Sequence, residues 1–268
     1  MAAPRSGRKG TLVAAISTVV ACLAVGAIVG SSAAWPEVQH AFFNGERFAN
    51  ALPSVWGAFA TNVQLFVFAE LLILPIGLLI ALARSVDTPA LAPLRLLAMI
   101  YVDFFRGVPS ILVIYLLGFG VPALQIPGLP KDPFFWALVT LVLIYSAYVS
   151  EVYRAGLESI HPSQERAARA LGLSRIQSLR YVVIPQAFRR VVPPLLNDFI
   201  GLQKDTALVA FIGVVEAFSR SQIISAGEFN LTPYVATALI FLVLTIPMAR
   251  FVDWLIARDR RRTLASAR

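Results

Sequence analysis

The chain has 268 residues, of which 58% are hydrophobic and only 14% are charged. A soluble domain usually carries about a quarter charged residues, so this composition indicates a membrane protein. The single cysteine, Cys22, excludes an intrachain disulfide, and the two histidines argue against a histidine-built metal centre, so no metal site is predicted. We interpret the net charge of +8 as Lys and Arg gathered in cytoplasmic loops and predict no nucleic-acid partner.

Six segments are long and apolar enough to cross a bilayer, since a spanning helix needs about 20 largely apolar residues. They are predicted at 11–34, 60–83, 98–120, 133–150, 192–217 and 229–249. The fifth is the least apolar, because it is interrupted by Asp198, Lys204, Asp205 and Glu216. The sequence therefore predicts an all-α membrane protein with about six transmembrane helices.

The basic residues predict the orientation of these spans. A six-span arrangement places 18 Lys and Arg residues on one side and leaves Arg47, Lys131 and Arg220 on the other. Because loops rich in Lys and Arg stay in the cytoplasm, we expect both termini and the loop 151–190 to be cytoplasmic. The predicted divisions are a tip at 1–10, a first helix at 11–34, an extracytoplasmic segment at 35–59 and a tail at 257–268.

The first span has a second interpretation as a cleaved signal peptide. A basic start, an apolar run and Ser32-Ala33-Ala34 are typical of such a peptide. The run is longer than the usual apolar region of about 7–15 residues, which favours a retained helix.

The segment 151–206 is polar and rich in arginine, unlike its surroundings. Ser163 is a favoured N-cap, and Gly172 is placed to end the same helix at its C′ position. Ser174 opens a second helix, where Gln177 completes a capping box. The sequence thus predicts two short capped helices.

Three prolines follow the two predicted helices, and the first of the two helices carries a small apolar face. Pro185 and the pair Pro193-Pro194 are each expected to break or kink the chain. A common face is predicted for Ala167, Ala170 and Leu171. That face could dock into a groove on another protein or pack beneath the chain's own helices, and the spacing leaves both open.

This region also resembles a known family. Ala167-Ala168, then Gly172, then Val182-Val183-Ile184-Pro185 match in register a motif of the form Glu-Ala-Ala, three residues, Gly, nine residues, Ile-x-Leu-Pro. The motif belongs to the permease subunits of bacterial ABC importers. Further segments resemble the polar amino-acid permeases among them, at 101–109 (YVDFFRGVP), 147–160 (AYVSEVYRAGLESI) and 185–208 (PQAFRRVVPPLLNDFIGLQKDTAL). The resemblance covers roughly 51–255, and agreement over several blocks is more specific than one short motif.

Two departures accompany the resemblance. Arg166 occupies the position of the motif glutamate, and the nearest acid, Glu165, lies one residue earlier. One residue is about 100° around a helix, so Glu165 cannot replace that glutamate on the same face. The segment 11–34 adds a helix to a family core that usually has five spans.

The resemblance implies a five-helix importer permease domain at 60–256, an extra N-terminal helix and a cytoplasmic coupling helix between spans 4 and 5. It implies that the chain is not an enzyme and binds no cofactor, because ATP is hydrolysed by separate subunits. The sequence agrees, since it contains no G-x-x-x-x-G-K-[ST] phosphate-binding loop. The residues implied to couple to the ATPase are Glu165, Arg166, Ala167, Ala168, Ala170, Leu171, Gly172, Leu173 and Pro185.

The resemblance also implies partners and a location. The partners are ATP-binding cassette subunits, a second permease subunit that is the same or a sister chain, and an extracytoplasmic solute-binding protein. The location is the lipid bilayer of the bacterial plasma (inner) membrane, crossed several times.

Ionisable residues inside spans are costly and are therefore candidates for function. The candidate translocation path comprises Glu70, Asp103, Arg106, Asn197, Asp198, Gln203, Lys204, Asp205 and Thr206. Asn197 and Lys204 lie two turns apart on nearly one face, with Asp198 and Asp205 one step around. Alternating Lys and Asp side chains would suit a solute that carries an amine and a carboxylate. The same polar residues could instead hold two subunits together.

Several of these charges, and two at the start of the loop, could form ion pairs or orient a helix end instead of binding a solute. Asp103 and Arg106 are three residues apart on one helix and could neutralise each other. Glu70 could face the path or pair with Arg106. Glu151 and Arg154 are expected to orient the end of the fourth span.

The sequence therefore predicts the permease subunit of an ATP-driven ABC importer for polar amino acids. The alternative is an ion-coupled secondary transporter, which would also need charges inside the membrane. Such a transporter predicts inverted repeats, and we find no internal repeat. It also leaves the two capped helices of the loop unexplained.

Overall fold

The computed structural model describes residues 8–86 and 88–265, and the regular structure in these ranges is helical. The α-helices are α1 Arg8–Gly30, α2 Trp35–Phe42, α3 Gly45–Arg84, α4 Ala92–Gly107, α5 Ser110–Tyr115, α6 Val121–Ala123, α7 Pro133–Glu158, α8 Pro162–Ala170, α9 Arg175–Ser178, α10 Ile184–Asp205, α11 Ala217–Glu228 and α12 Thr232–Ala265. Shorter 3₁₀ turns lie at Pro89–Leu91 and Thr206–Ile212, and π turns lie at Leu116–Gly120 and Leu179–Val183.

By length and composition, four helices of the described chain could each cross a membrane, at Leu12–Gly30, Trp35–Arg84, Pro133–Glu158 and Thr232–Arg258. Two bent helix pairs raise the number to six if each pair is one span. The prediction of an all-α membrane protein with about six spans is confirmed.

The third predicted span, 98–120, is broken rather than straight. The helices Pro89–Gly107 and Ser110–Ala123 meet at an angle of 105°. The break falls at Val108, whose ψ of 132° is extended. A residue before proline is disfavoured in the helical region, and Pro109 itself has no N–H to continue the ladder.

The fifth predicted span, 192–217, also differs from a straight helix. Arg175–Ile212 runs on as one helical stretch and then meets Ala217–Glu228 at 49°. The bend follows Gly213, whose φ is +88°. A left-handed conformation of this kind is the one that glycine adopts without a steric penalty.

The prolines at the start of this stretch do not end it, so the helix is not broken at them, and a kink there stays a prediction. Pro185 follows the π turn Leu179–Val183. A π turn widens the helix locally, which makes room for the proline ring. Pro193 and Pro194 both lie inside α10. The flanking Val191 and Ile200 are buried, and this packing holds the neighbouring turns in the helix.

Two other helices exceed their predicted spans. α3 begins at Gly45, well before residue 60, and is capped by the Asn44 side chain, which accepts from the N–H of Arg47. The segment 35–59 therefore consists of α2 and the first turns of α3. α7 continues to Glu158, so the first residues of the predicted loop 151–190 belong to this helix.

The main core lies where α3, α5, α7 and the end of α10 meet. Its fully buried large side chains include Leu65, Ile73, Ile114, Leu141, Ile144, Leu202 and Val209. α3 and α7 approach closely at Gly77, where an added Cβ would lie 2.8 Å from Val149 Cγ1. In α1, by contrast, residues 10 and 12–30 are all exposed.

Candidate functional site

The N-cap of helix α8 is His161 rather than the predicted Ser163. The His161 side chain accepts from the Ser163 N–H at 3.2 Å, and Pro162 occupies the first helical position. The Ser163 hydroxyl lies 2.8 Å from the same ring nitrogen. Proline is already set to helical φ and needs no N–H there, so the helix starts earlier than the serine indicates.

The end of α8 and the start of α9 are as predicted. Gly172 has a φ of +92°. Its N–H donates to the Arg169 carbonyl at 3.0 Å, and the Leu173 N–H donates to the Ala168 carbonyl at 3.2 Å. These two bonds form a Schellman motif. Ser174 and Gln177 then form the expected capping box, with bonds of 2.8 and 3.3 Å.

The small apolar face of α8 is turned outward. Ala167 and Ala170 are exposed, and Leu171 is 85% exposed. Ala168 is the residue that packs inward, at 5% exposure. The alternative in which Ala167, Ala170 and Leu171 lie beneath the chain's own helices is therefore excluded, and docking on a partner stays a prediction.

The loop is attached to the bundle through α7 and α10. A Cβ added at Gly156 would overlap the Val191 side chain, so these two helices touch at that point. Arg190 donates to the Ser159 carbonyl. Pro185 of the predicted coupling set lies exposed just inside the start of α10. α8 itself packs against the π turn Leu179–Val183 that leads into α10, so a displacement of α8 would act on α10 and, through it, on α7.

An ion cluster joins the ends of three helices beside the loop. Glu151 of α7 accepts from Arg84 at the end of α3 and from Arg154 at 2.7 Å. Arg106 at the end of α4 lies 3.5 Å from the same carboxylate. Arg154 also reaches Glu158 at 2.6 Å. Glu151 and Arg154 thus orient this end of α7, as their position in the sequence predicts.

Neither expected partner of Arg106 is its observed partner. Asp103 is exposed, and the ion pair of Arg106 goes to Glu151. Arg106 lies in the last turn of α4 beside α7, so its long side chain reaches across to the neighbouring helix. Within the described chain, Glu70 Oε1 and Asp198 Oδ2 are buried without a hydrogen-bond partner.

The polar residues of α10 divide into two faces, as their spacing predicts. Asn197 and Lys204 are exposed, whereas Asp198 and Asp205 are half-buried. The Tyr145 hydroxyl donates to Asp205 Oδ2 at 2.9 Å. Only the first face is open to a solute or a partner in this chain.

The other two polar residues of that region belong to the interior. Gln203 is 3% exposed, and its Oε1 accepts from the Thr245 hydroxyl at 3.1 Å. Thr206 is fully buried and accepts from Asn62 Nδ2 at 3.1 Å. Both therefore lie within the packed bundle rather than on its open face.

Thr206 is part of a buried joint formed with Asn62 and Glu216, which the sequence did not single out as a site. Asn62 Nδ2 also donates to Glu216 Oε2 at 2.8 Å, and Asn62 Oδ1 accepts from the Ala217 N–H at 3.1 Å. Glu216 caps α11 by accepting from the N–H groups of residues 218 and 219 at 2.9 and 2.7 Å. The available signal is Asn62 itself, a polar residue in the middle of the long, mainly apolar helix α3.

The described residues contain no group of three or more His, Cys, Asp and Glu side chains that could hold a metal ion.

Residues 73–261 match the family described as the binding-protein-dependent transport system inner membrane component. The chain belongs to this family. As a member of it, the chain is a transport subunit that crosses the inner membrane several times and serves as the permease of an ABC transporter.

Curated relatives of this chain are named as amino-acid permease proteins. The inner membrane amino-acid ABC transporter permease protein YhdY of Escherichia coli (strain K12) is 32% identical over 237 residues, which is 87% of this chain but only 63% of YhdY. The probable amino-acid permease protein YxeN of Bacillus subtilis (strain 168) is 32% identical over 75% of this chain and 89% of its own length.

Solved structures share the fold. A chain of an amino acid ABC transporter crystallised with histidines is 29% identical, with a TM-score of 0.69 over 77% of this chain and 94% of its own. A chain of the inward-facing MetNI methionine ABC transporter, at 20% identity, has a TM-score of 0.58 over 80% of this chain and 99% of its own. The second likeness concerns the fold alone.

Proposed function

We propose that this permease forms the translocation path of an ATP-driven importer for polar amino acids. It works with two ATP-binding cassette subunits, a second permease subunit and an extracytoplasmic solute-binding protein. Both termini and the α8–α9 loop lie in the cytoplasm of a bacterial cell. The observation that carries the proposal is the α8–α9 element, whose shape is held by its own caps while its outer face is uncovered.

The attachment of this element supports a coupling role. α8 is too short to be stable alone, so its position depends on what it packs against. It packs against α9 and against the π turn Leu179–Val183, which leads directly into α10. α10 in turn contacts α7, where Val191 meets Gly156 and Arg190 donates to the Ser159 carbonyl. A movement of an ATPase subunit bound to α8 would be transmitted to the helix that carries Asn197 and Lys204.

The solute class rests on the open polar face of α10 and on the relatives' names. Lys204 is exposed one step around the helix from the half-buried Asp205. A cation and an anion on adjacent faces suit a solute that has both a carboxylate and an amine. The relatives YhdY and YxeN are named as amino-acid permeases.

The proposal is tested by reconstitution of the full complex into lipid vesicles. We expect accumulation of a polar amino acid only when ATP and the solute-binding protein are both present. A matched complex whose ATPase subunit cannot hydrolyse ATP is the control and should not accumulate solute. Uptake driven by a proton or sodium gradient without ATP hydrolysis would overturn the proposal in favour of a secondary transporter.

The solute path is tested separately with Lys204→Met, which removes the charge but keeps a similar length of side chain. We expect a raised KM for uptake with little change in the thermal stability of the complex, because Lys204 is exposed. Unchanged uptake kinetics would reject a role for Lys204 in the path.

A further inference from the structure

A concavity between α8 and α9 is strongly basic. The described residues that line it include no acid and are Arg166, Arg169, Gly172, Leu173, Ser174, Arg175 and Gln177. Three arginines from two helices therefore converge on one open depression. Its geometry is set by the left-handed Gly172 and by the Ser174 cap, so it does not depend on flexible loop structure.

Within the part of the chain that the structure describes, no ion pair neutralises the positive charge of this concavity. Residues 159–191 contain six arginines and one acid, Glu165. Glu165 is half-buried, one turn from the inward Ala168, and its carbonyl accepts from the Ser178 hydroxyl at 3.4 Å. Among the ion pairs of the described residues, none includes the three arginines of the concavity.

Exposed aliphatic side chains flank the arginines. Leu171 is 85% exposed at the end of α8, and Ile176 is 77% exposed in α9. Side chains of this kind gain free energy when they leave water. An apolar pair beside a guanidinium cluster has the chemistry of an interface, in which arginine is enriched and other charged residues are depleted.

We infer that the α8–α9 element docks into an apolar groove of the ATP-binding subunit whose rim is acidic, with carboxylates facing Arg166, Arg169 and Arg175. This rests on the proposed function, which assigns the ATP-binding subunit as the partner of α8. The inference adds the sign of the partner's charge, and it makes the three arginines the residues that select which ATP-binding subunit can pair with this permease.

The shape of the cluster favours a protein carboxylate over the lipid surface. Anionic headgroups present charge in a plane, whereas these arginines line a depression that receives a protruding side chain. Arginine also binds a carboxylate through two parallel hydrogen bonds, which gives directional selectivity.

The test compares charge reversals in the intact complex. The variant Arg166→Glu/Arg169→Glu should retain about tenfold less ATP-binding subunit on co-purification, because attraction at the rim becomes repulsion. Arg189→Glu is the matched control, since Arg189 is an exposed arginine of the same loop outside the concavity. It should retain the wild-type amount.

Two further measurements show whether a lost charge contact causes the loss of the ATP-binding subunit. Arg166→Gln, which keeps a helix-forming side chain, should lose less of the partner, and its deficit relative to the wild type should shrink as salt concentration rises, because salt screens the charge contact in the wild type. Acid-to-lysine changes on the rim of the ATP-binding subunit should restore pairing with the charge-reversed permease. Such a rescue distinguishes a charge contact from misfolding of α8.

The inference is overturned if the double reversal retains the partner in full at every salt concentration. It is also overturned if the partner is retained and solute-stimulated ATP hydrolysis falls only in phosphatidylglycerol vesicles and not in phosphatidylcholine vesicles, which would assign the arginines to lipid. Failure of the wild-type chain to bind any ATP-binding subunit would instead refute the proposed function itself.

Discussion

The buried joint of Asn62, Thr206 and Glu216 and the exposed α8–α9 element are both rich in polar groups, yet they are held in opposite ways. The joint connects residues 144 to 155 positions apart, and its members are at most 1% exposed. The α8–α9 element is capped by bonds between residues no more than five positions apart, and the bond from the Ser178 hydroxyl to the Glu165 carbonyl spans 13 positions. Much of its surface is open.

The difference shows where stability and recognition reside. An unpaired polar group is costly where water cannot replace the lost partner, so the joint stabilises the bundle only while every member is satisfied. Helix caps in contact with water fix the local shape of the chain, and their loss destabilises the helix end rather than the whole fold. We therefore expect substitutions in the joint to destabilise the fold. Substitutions in the α8–α9 element should instead uncouple ATP hydrolysis from transport while the bundle stays folded.

The largest effect is expected from Glu216→Ala. The backbone N–H groups of Phe218 and Ser219 lose their acceptor, as does one hydrogen bond of Asn62. Each unsatisfied buried donor costs about 1–3 kcal/mol, so the melting temperature of the purified permease should fall sharply.

The control is Glu228→Ala in the same helix. Glu228 is 40% exposed and pairs with Arg47 at 2.8 Å. A surface ion pair contributes about 0–1 kcal/mol, so this variant should melt near the wild type. Equal melting shifts for the two glutamate variants would remove the distinction between joint and surface.

Gly156→Ala should have the next largest effect. The added methyl group overlaps Val191, which is a stiff β-branched side chain. Overpacking of this kind costs about 1–3 kcal/mol and should lower both melting temperature and yield.

Val191→Ala in the same chain should recover part of that loss, because it vacates the contacted space. Gly227→Ala is the matched control, since a Cβ there meets nothing within 4 Å. A double variant no more stable than Gly156→Ala alone would show that the α7–α10 contact is not the cause.

Gly172→Trp should uncouple transport without unfolding the bundle. No atom lies within 4 Å of the added Cβ, so the strain comes from the φ of +92° and from the bulk added to the docking surface. The left-handed conformation costs an ordinary L-residue about 1–2 kcal/mol. Solute-stimulated ATP hydrolysis and retention of the ATPase subunit should fall, while the melting temperature stays near wild type.

Gly172→Asn provides the comparison, because asparagine tolerates the left-handed region. It should keep most of the coupling. Normal transport and assembly with Gly172→Trp would reject the docking role of the loop.

The smallest effect is expected from Ser174→Ala, which removes the cap of α9. Loss of an N-cap costs about 1 kcal/mol, and the loss should appear as faster hydrogen exchange confined to α9. Ser163→Ala should change α8 less, because His161 supplies the cap there. Equal exchange in the two helices would contradict this assignment of caps.

Much of the loop could be predicted because its determinants are neighbours in sequence. The Gly172 terminus and the Ser174 capping box depend on residues within one or two turns, and both are confirmed. The cap of α8 was wrongly predicted, because Pro162 and His161 together outweighed a favoured N-cap serine. No break of the helical stretch occurs at Pro185 or at Pro193-Pro194, since packing of the flanking turns outweighed the local preference of proline.

The partner of Arg106 could not be predicted in the same way. Asp103 lies three residues from Arg106, but Arg106 pairs with Glu151, on a helix whose approach no local pattern encodes. The 105° bend at Val108 likewise divides into two helices what hydropathy alone presents as one span.

The sequence by itself determined the membrane class, the number of spans and the local shape of the α8–α9 element, because composition, hydropathy and capping act over short distances. Only the tertiary structure decided that the small face of α8 is uncovered, that Asn62 meets Glu216, and that Glu151 joins three helix ends. Those outcomes depend on how helices far apart in the chain pack, since in an apolar bundle each polar group takes whichever partner that packing brings within reach.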